Sequence, residues 1–72
     1  MIEKAYYNRA CYLSLQWAAT VDQKDKERIG AGIQEDLREA IGLNQENKEI
    51  ASGNSDFDAV KNESWFQQLV KN

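Results

Sequence analysis

The sequence predicts an all-α fold: an antiparallel helical hairpin followed by short capping helices. Two long segments carry apolar residues at helical spacing, no segment alternates as a strand does, and proline is absent. The chain of 72 residues has the length of one domain. We therefore expect a single all-helical domain over residues 1–72, with the hairpin in residues 2–43 and the capping helices in residues 44–72.

The first helix is expected from Ile2 to about Val21. Apolar residues at steps of four, three and four form one stripe: Tyr6, Ala10, Leu13 and Trp17. Further apolar residues widen it: Tyr7, Cys11 and Ala18. A helix that is apolar over so much of its circumference must be covered on more than one side.

A polar turn is expected between residues 20 and 25. Thr20 with Gln23 matches a capping box, and Asp22 or Asp25 is an alternative cap. The second helix then runs to Ile41. Its apolar residues recur at steps of four: Ile29, Ile33, Leu37 and Ile41. Gly42, just after them, is typical of a helix stop in the left-handed conformation.

The hairpin register follows from the position of the turn. With the turn centred between residues 22 and 23, Leu13 faces the region of Gly32 and Ile33, and Trp17 faces Ile29 and Gly30. Two helices joined by a short connection are antiparallel. The two glycines then let large side chains of the first helix approach closely.

The tail predicts three short elements. Asn44 is expected to cap a helix to about Ala51 whose strong apolar residue is Ile50, and Ser52-Gly53-Asn54 breaks it. Residues 55–58 repeat the capping-box pattern and begin a turn or short helix with two apolar residues, Phe57 and Val60. Asn62 is expected to cap a last helix with four more: Trp65, Phe66, Leu69 and Val70.

Composition excludes several functions. A net charge of −3 argues against nucleic-acid or membrane binding, and the absence of His removes a histidine base, a His-metal site and a Ser-His-Asp triad. We expect no catalysis, no cofactor and no metal. The acidic residues Glu35, Asp36 and Glu39 are interpreted as a solvated helix face, and Cys11 as a small core residue. Without a transmembrane or signal segment, the expected location is the cytoplasm.

Residues 5–13 and 36–44 resemble the beginning and end of a tetratricopeptide repeat. The family pattern is W-x2-L-G-x2-Y, A-x3-F and a late small residue before P, over about 34 residues. The W, L, G and Y positions of the pattern correspond to Tyr6, Arg9, Ala10 and Leu13. The A and F positions correspond to Ile33 and Leu37, and the late small residue and the proline correspond to Ala40 and Gln45. The repeat is overlong, because sixteen positions separate Trp17 from Ile33 where the pattern allows about five. The excess is about three helical turns, so lengthening both helices keeps their faces in register.

There are further departures from the family pattern. Ile33 is bulky where the family is small, Gln45 replaces the proline, and Trp17 stands where a turn glycine is expected. The tail adds to the resemblance. Residues 55–61 and 65–70 are similar to the segment that closes the last repeat in many bacterial repeat proteins.

The resemblance implies a non-catalytic protein–protein interaction module, the terminal repeat and cap of a scaffold protein. The alternative is a free-standing small helical regulator or inhibitor of one protein partner. Upstream sequence with further 34-residue periods would favour the first and a natural start at Met1 the second. The expected partner is a protein or peptide, a preceding repeat, or a second copy in a homodimer.

Five residues are candidate partner contacts. In peptide-binding members of the family, an Asn on the first helix and basic residues beside it hold a ligand carboxylate. Asn8 matches that Asn and Arg9 follows it, although a single repeat lacks the neighbouring basic residues of a complete clamp. Tyr12, Leu15 and Cys11 cannot all reach the second helix together with the inward stripe, and an overhanging Trp17 or Tyr12 is a further contact.

Overall fold

The computed structural model describes residues 2–71, without the side chain of Glu3, and it is all-α. The described chain contains four α-helices and one 3₁₀ helix: α1 (Ile2–Ala19), α2 (Gln23–Leu43), α3 (Asn47–Gly53), the 3₁₀ helix (Ser55–Val60) and α4 (Ser64–Val70). The long helices α1 and α2 pack together as the predicted hairpin. The shorter helices lie against this hairpin and complete the core.

Asp22 caps the second helix. Its carboxylate Oδ1 accepts hydrogen bonds from the backbone N–H groups of Lys24 (2.8 Å) and Asp25 (3.2 Å). These bonds satisfy two of the donors that a helix start leaves unpaired. The Thr20 capping box is not formed, because the Thr20 hydroxyl donates to the Gln16 carbonyl at the end of α1 instead (2.7 Å).

The predicted register of the hairpin is confirmed by the surroundings of its glycines. A Cβ atom on Gly30 would lie 3.6 Å from Trp17 Nε1, and one on Gly32 would lie 3.1 Å from Leu13 Cδ1. Both glycines therefore face the large side chains of α1 expected opposite them. At Gly32 the approach is close enough that a methyl group would require Leu13 to shift.

The buried face of α1 is displaced from the predicted stripe. Four of its residues are buried: Tyr7, Ala10, Cys11 and Ser14. Tyr6, Leu13 and Trp17 are only half-buried, and Ala18 is exposed. The reason is that α1 contacts α2 on one side and the 3₁₀ helix on the other. The best-covered line of α1 runs between these two neighbours.

The predicted left-handed stop at Gly42 is wrong. No residue in the described part of the chain has a positive φ, and α2 continues through Leu43. The helix ends at Asn44, whose backbone is extended (φ −153°, ψ 109°) and whose N–H donates to the Ala40 carbonyl (3.0 Å). The Asn44 carboxamide oxygen accepts from the Glu46 N–H (3.0 Å) and begins the turn towards α3.

The tail covers the hairpin with residues that partly differ from those predicted. In α3 the buried residues are Asn47 and Ala51, whereas Ile50 is 46% exposed. The Asn47 side chain donates to the Ala40 carbonyl (2.8 Å), which ties α3 to α2. Asn54 caps the 3₁₀ helix, and α4 begins after Glu63 without the predicted Asn62 cap.

Aromatic side chains join the tail to α1. Phe57 is fully buried and Phe66 nearly so. The Phe57 ring meets the Tyr7 ring edge to face at 5.9 Å between centroids and lies 5.4 Å from the Phe66 ring. Contacts of this geometry are worth about 0.5–1.5 kcal/mol beyond the area they bury. Phe57 is thus the central contact between the hairpin and its cap.

Candidate partner-binding surface

One side of α1 is left uncovered by the rest of the described chain. We call it the outer face of α1, and its exposed residues are Ala5, Asn8, Tyr12, Leu15, Gln16 and Ala19. Their spacing places them on one side of a helix with 3.6 residues per turn. Tyr12 is 60% exposed and Leu15 52% exposed.

The six residues of the outer face are uncharged, although 29% of the chain is charged, and the exposed residues Lys4 and Arg9 border them. The Gln16 amide donates to the Tyr12 hydroxyl (3.3 Å), one helical turn away. The Tyr12 ring and the Leu15 side chain are therefore presented to solvent among amide and methyl groups. A contiguous surface of this composition is able to pack against another helix without desolvating a charge.

Arg9 lies beside the outer face of α1 and forms a salt bridge with Asp36 of α2. Its guanidinium donates to both carboxylate oxygens of Asp36, from Nε to Oδ2 and from Nη2 to Oδ1, each at 2.7 Å. These hydrogen bonds, together with the carboxylate charge, raise the pKa of Arg9 above its ordinary value. The guanidinium also lies 5.9 Å from the centre of the Tyr6 ring.

Asp36 is not part of a solvated face, contrary to the sequence-based interpretation. Its side chain is 4% exposed whereas that of Arg9 is 62% exposed. A carboxylate buried to this extent needs a charged or hydrogen-bonding partner, and Arg9 supplies both. Arg9 therefore fixes the pairing of α1 with α2 while part of its guanidinium reaches solvent.

Trp17 lies apart from the other four candidate residues. It follows Tyr12 by five positions, which is about 140° around a helix. Its indole packs towards Gly30 and is covered by Lys26, whose Nζ lies 4.2 Å from the ring centre. The structure thus brings Asn8, Tyr12 and Leu15 to one face, with Arg9 at its edge, and turns Trp17 towards α2.

A polar cluster at Cys11 joins α1 to the tail. The Asn54 amide donates to the Tyr7 hydroxyl (2.9 Å) and to Cys11 Sγ (3.6 Å). Burial is the main cause that raises the pKa of the Cys11 thiol and of the Tyr7 hydroxyl above their ordinary values. Since the thiolate is the reactive form, this environment makes Cys11 a poor nucleophile. The sequence alone does not indicate this role of Asn54, because its partners are distant in the chain.

Comparisons with protein-family models, with curated protein sequences and with solved structures find no match to this chain. Among residues 2–71, no helix has both the length and the apolar character needed to cross a membrane. The described side chains also contain no group of three or more His, Cys, Asp or Glu residues placed to hold a metal ion.

Proposed function

We propose that the chain is a non-catalytic protein–protein interaction module, equivalent to the terminal repeat and helical cap of a tetratricopeptide protein. Its partner packs along the outer face of α1. The observation that carries the proposal is the uncharged exposed strip of this face, centred on Tyr12 and Leu15. The chain's own tail packs on another side of α1, through the 3₁₀ helix, and on part of α2.

The partner expected on this surface is another helix with an apolar stripe. In a longer repeat protein it would belong to the preceding repeat, and for the isolated chain it would be α1 of a second copy. Repeat units stack so that each covers the open face of its neighbour. A pair of copies related by a two-fold axis places the same residues on both sides of the contact.

Sedimentation of the isolated chain over about a hundredfold range of concentration tests this proposal, because self-association follows mass action. The wild-type chain should shift from monomer to dimer as its concentration rises. Leu15→Glu should shift this transition to higher concentration, since a carboxylate would enter the contact. Leu15 is exposed, so the monomer should remain folded.

Ile50→Glu is the matched control, because Ile50 is a comparably exposed apolar residue on α3, away from the outer face of α1. It should leave the dimerisation curve unchanged. A wild-type chain that stays monomeric throughout contradicts the proposed packing and favours a self-contained regulator. Equal effects of Leu15→Glu and Ile50→Glu would show that association does not use this face.

A further inference from the structure

A cleft lies where α1, α2 and α4 meet, away from the outer face of α1. Its lining includes two Trp, one Lys, two Glu and one Gly residue: Trp17, Trp65, Lys26, Glu27, Glu63 and Gly30. Its volume is about 200 Å³. This is smaller than the ~300–1,000 Å³ typical of pockets for drug-sized ligands. It is suited to the end of one side chain rather than to a whole organic ligand.

Two indole rings converge at this cleft. A Cβ atom on Gly30 would lie 3.6 Å from Trp17 Nε1 and 3.6 Å from Trp65 Cζ2, so both rings approach the same point of α2. Trp17 and Trp65 are each half-buried and present part of their rings to solvent. The faces of indole rings carry negative electrostatic potential and attract cations, more strongly than those of the other aromatic side chains.

The cleft already holds a cation of the chain itself. The Lys26 ammonium lies 4.2 Å from the centre of the Trp17 ring, well within the ~6 Å limit for a cation–π contact. The other charged lining groups are the carboxylates of Glu27 and Glu63. When Lys26 moves away from the ring, the cleft therefore keeps two negative charges beside two aromatic rings.

We infer that this cleft receives a lysine or arginine side chain of a partner chain, which takes the place of Lys26 on Trp17. The indole rings contact the methylene stem and the charge, while the carboxylates attract the ammonium or guanidinium group. The net charge of −3 also favours a basic partner. The inference does not depend on the outer face of α1, because the two surfaces share no residue.

Three blocked tripeptides test this inference with the full chain: acetyl-Gly-Lys-Gly-amide, its norleucine analogue and its glutamate analogue. The chain contains two Trp residues, so the two indole N–H signals in a nitrogen–proton correlation spectrum report on the cleft. The lysine peptide should shift both signals in a saturable manner. It should bind about two- to fivefold more tightly than the norleucine peptide, as expected for an exposed cation–π contact. The glutamate peptide should produce no saturable shift.

Lys26→Ala should increase the affinity for the lysine peptide, because it removes the internal competitor. Lys24→Ala is the control, since Lys24 is an exposed lysine of the same helix that does not line the cleft. Glu63→Gln should lower the affinity, whereas Glu39→Gln, on the exposed surface of α2, should not. Thermal melting of each variant verifies that it is folded.

Three results would overturn the inference. The first is equal binding of the lysine and norleucine peptides, which would leave only apolar contact. The second is a saturable response to the glutamate peptide, which would make Lys26 the centre of an anion site. The third is weaker or unchanged binding of the lysine peptide by Lys26→Ala. None of these results alters the sedimentation test of the outer face, so failures of the two proposals are distinguishable.

Discussion

Replacing Gly42 by alanine is expected to stabilise the domain. Gly42 lies within α2 and has no positive φ, so alanine adopts its backbone conformation without strain. A Cβ atom built on Gly42 meets nothing within 4 Å apart from its chain neighbours and the backbone of its own helix, so no packing penalty is expected. The gain comes from the smaller conformational freedom of alanine in the unfolded chain and amounts to about 0.4–1 kcal/mol.

For a domain of this size, each kcal/mol raises the melting temperature by about 4–8 °C. Gly42→Ala should therefore raise it by about 2–8 °C and increase the urea midpoint, with an unchanged dependence of stability on urea. The opposite sign is the refuting result. If Gly42 occupied the left-handed conformation of a helix stop, a Cβ atom would cost about 1–2 kcal/mol and the melting temperature would fall.

Three further experiments test the core and its cap: a substitution, a truncation and a pH titration of stability. Ala40→Leu should lower stability by about 1–3 kcal/mol, because Ala40 is fully buried; an unchanged urea midpoint would contradict its position. A chain ending before Ser55 loses the buried Phe57 ring and should lose cooperative melting; melting as sharp as that of the full chain would show that the tail is dispensable. Burial raises the pKa of the Cys11 thiol and of the Tyr7 hydroxyl, so the folded state retains these protons longer than the unfolded state. Stability should be undiminished below the ordinary thiol value of 9.0 and fall as pH rises through the raised values, with a shallower fall in Cys11→Ala; equal slopes would contradict the burial of the thiol.

The hairpin was predictable because it depends mainly on the periodic spacing of apolar residues along each helix. Apolar residues spaced every three or four positions identify helices whatever their surroundings, and the short polar turn fixes which residues face each other. Leu13 and Trp17 accordingly meet the two glycines expected opposite them. The exposed positions Tyr12 and Leu15 followed from the same geometry, since they fall outside the arc that α2 is able to cover.

Polar contacts between distant residues were not predictable in the same way. Asp36 stands in an acidic segment that is typical of a solvated helix face, and its burial depends on Arg9, 27 residues earlier. Asn54 looks like an ordinary turn residue, but its amide binds Tyr7, 47 residues away. Such pairs are recognisable only after the helices have been placed, because one partner does not indicate the other in the sequence.

The end of α2 shows how two local signals compete. Gly42 followed by Leu43 is typical of a left-handed stop, whereas Asn44 is able to end one helix and begin the next turn. In the structure the Asn44 N–H bonds to the Ala40 carbonyl and its side chain accepts from the Glu46 N–H. Asn44 thus supplies a hydrogen bond to the end of α2 and another to the turn that follows. The helix therefore ends without a glycine in the left-handed conformation.

The arrangement of the tail determines the direction in which another unit would be added. Both α3 and α4 contact α2, and the 3₁₀ helix contacts α1 on the side facing the core. The exposed face of α2 that the tail leaves open carries charged side chains, including Glu35, Arg38 and Glu39, and a unit packing there would have to desolvate them. A unit approaching the outer face of α1 displaces only water from Tyr12 and Leu15, so growth is expected at the α1 side alone. The proposed role as a terminal repeat requires such an asymmetry, with one side that accepts a neighbour and another that does not.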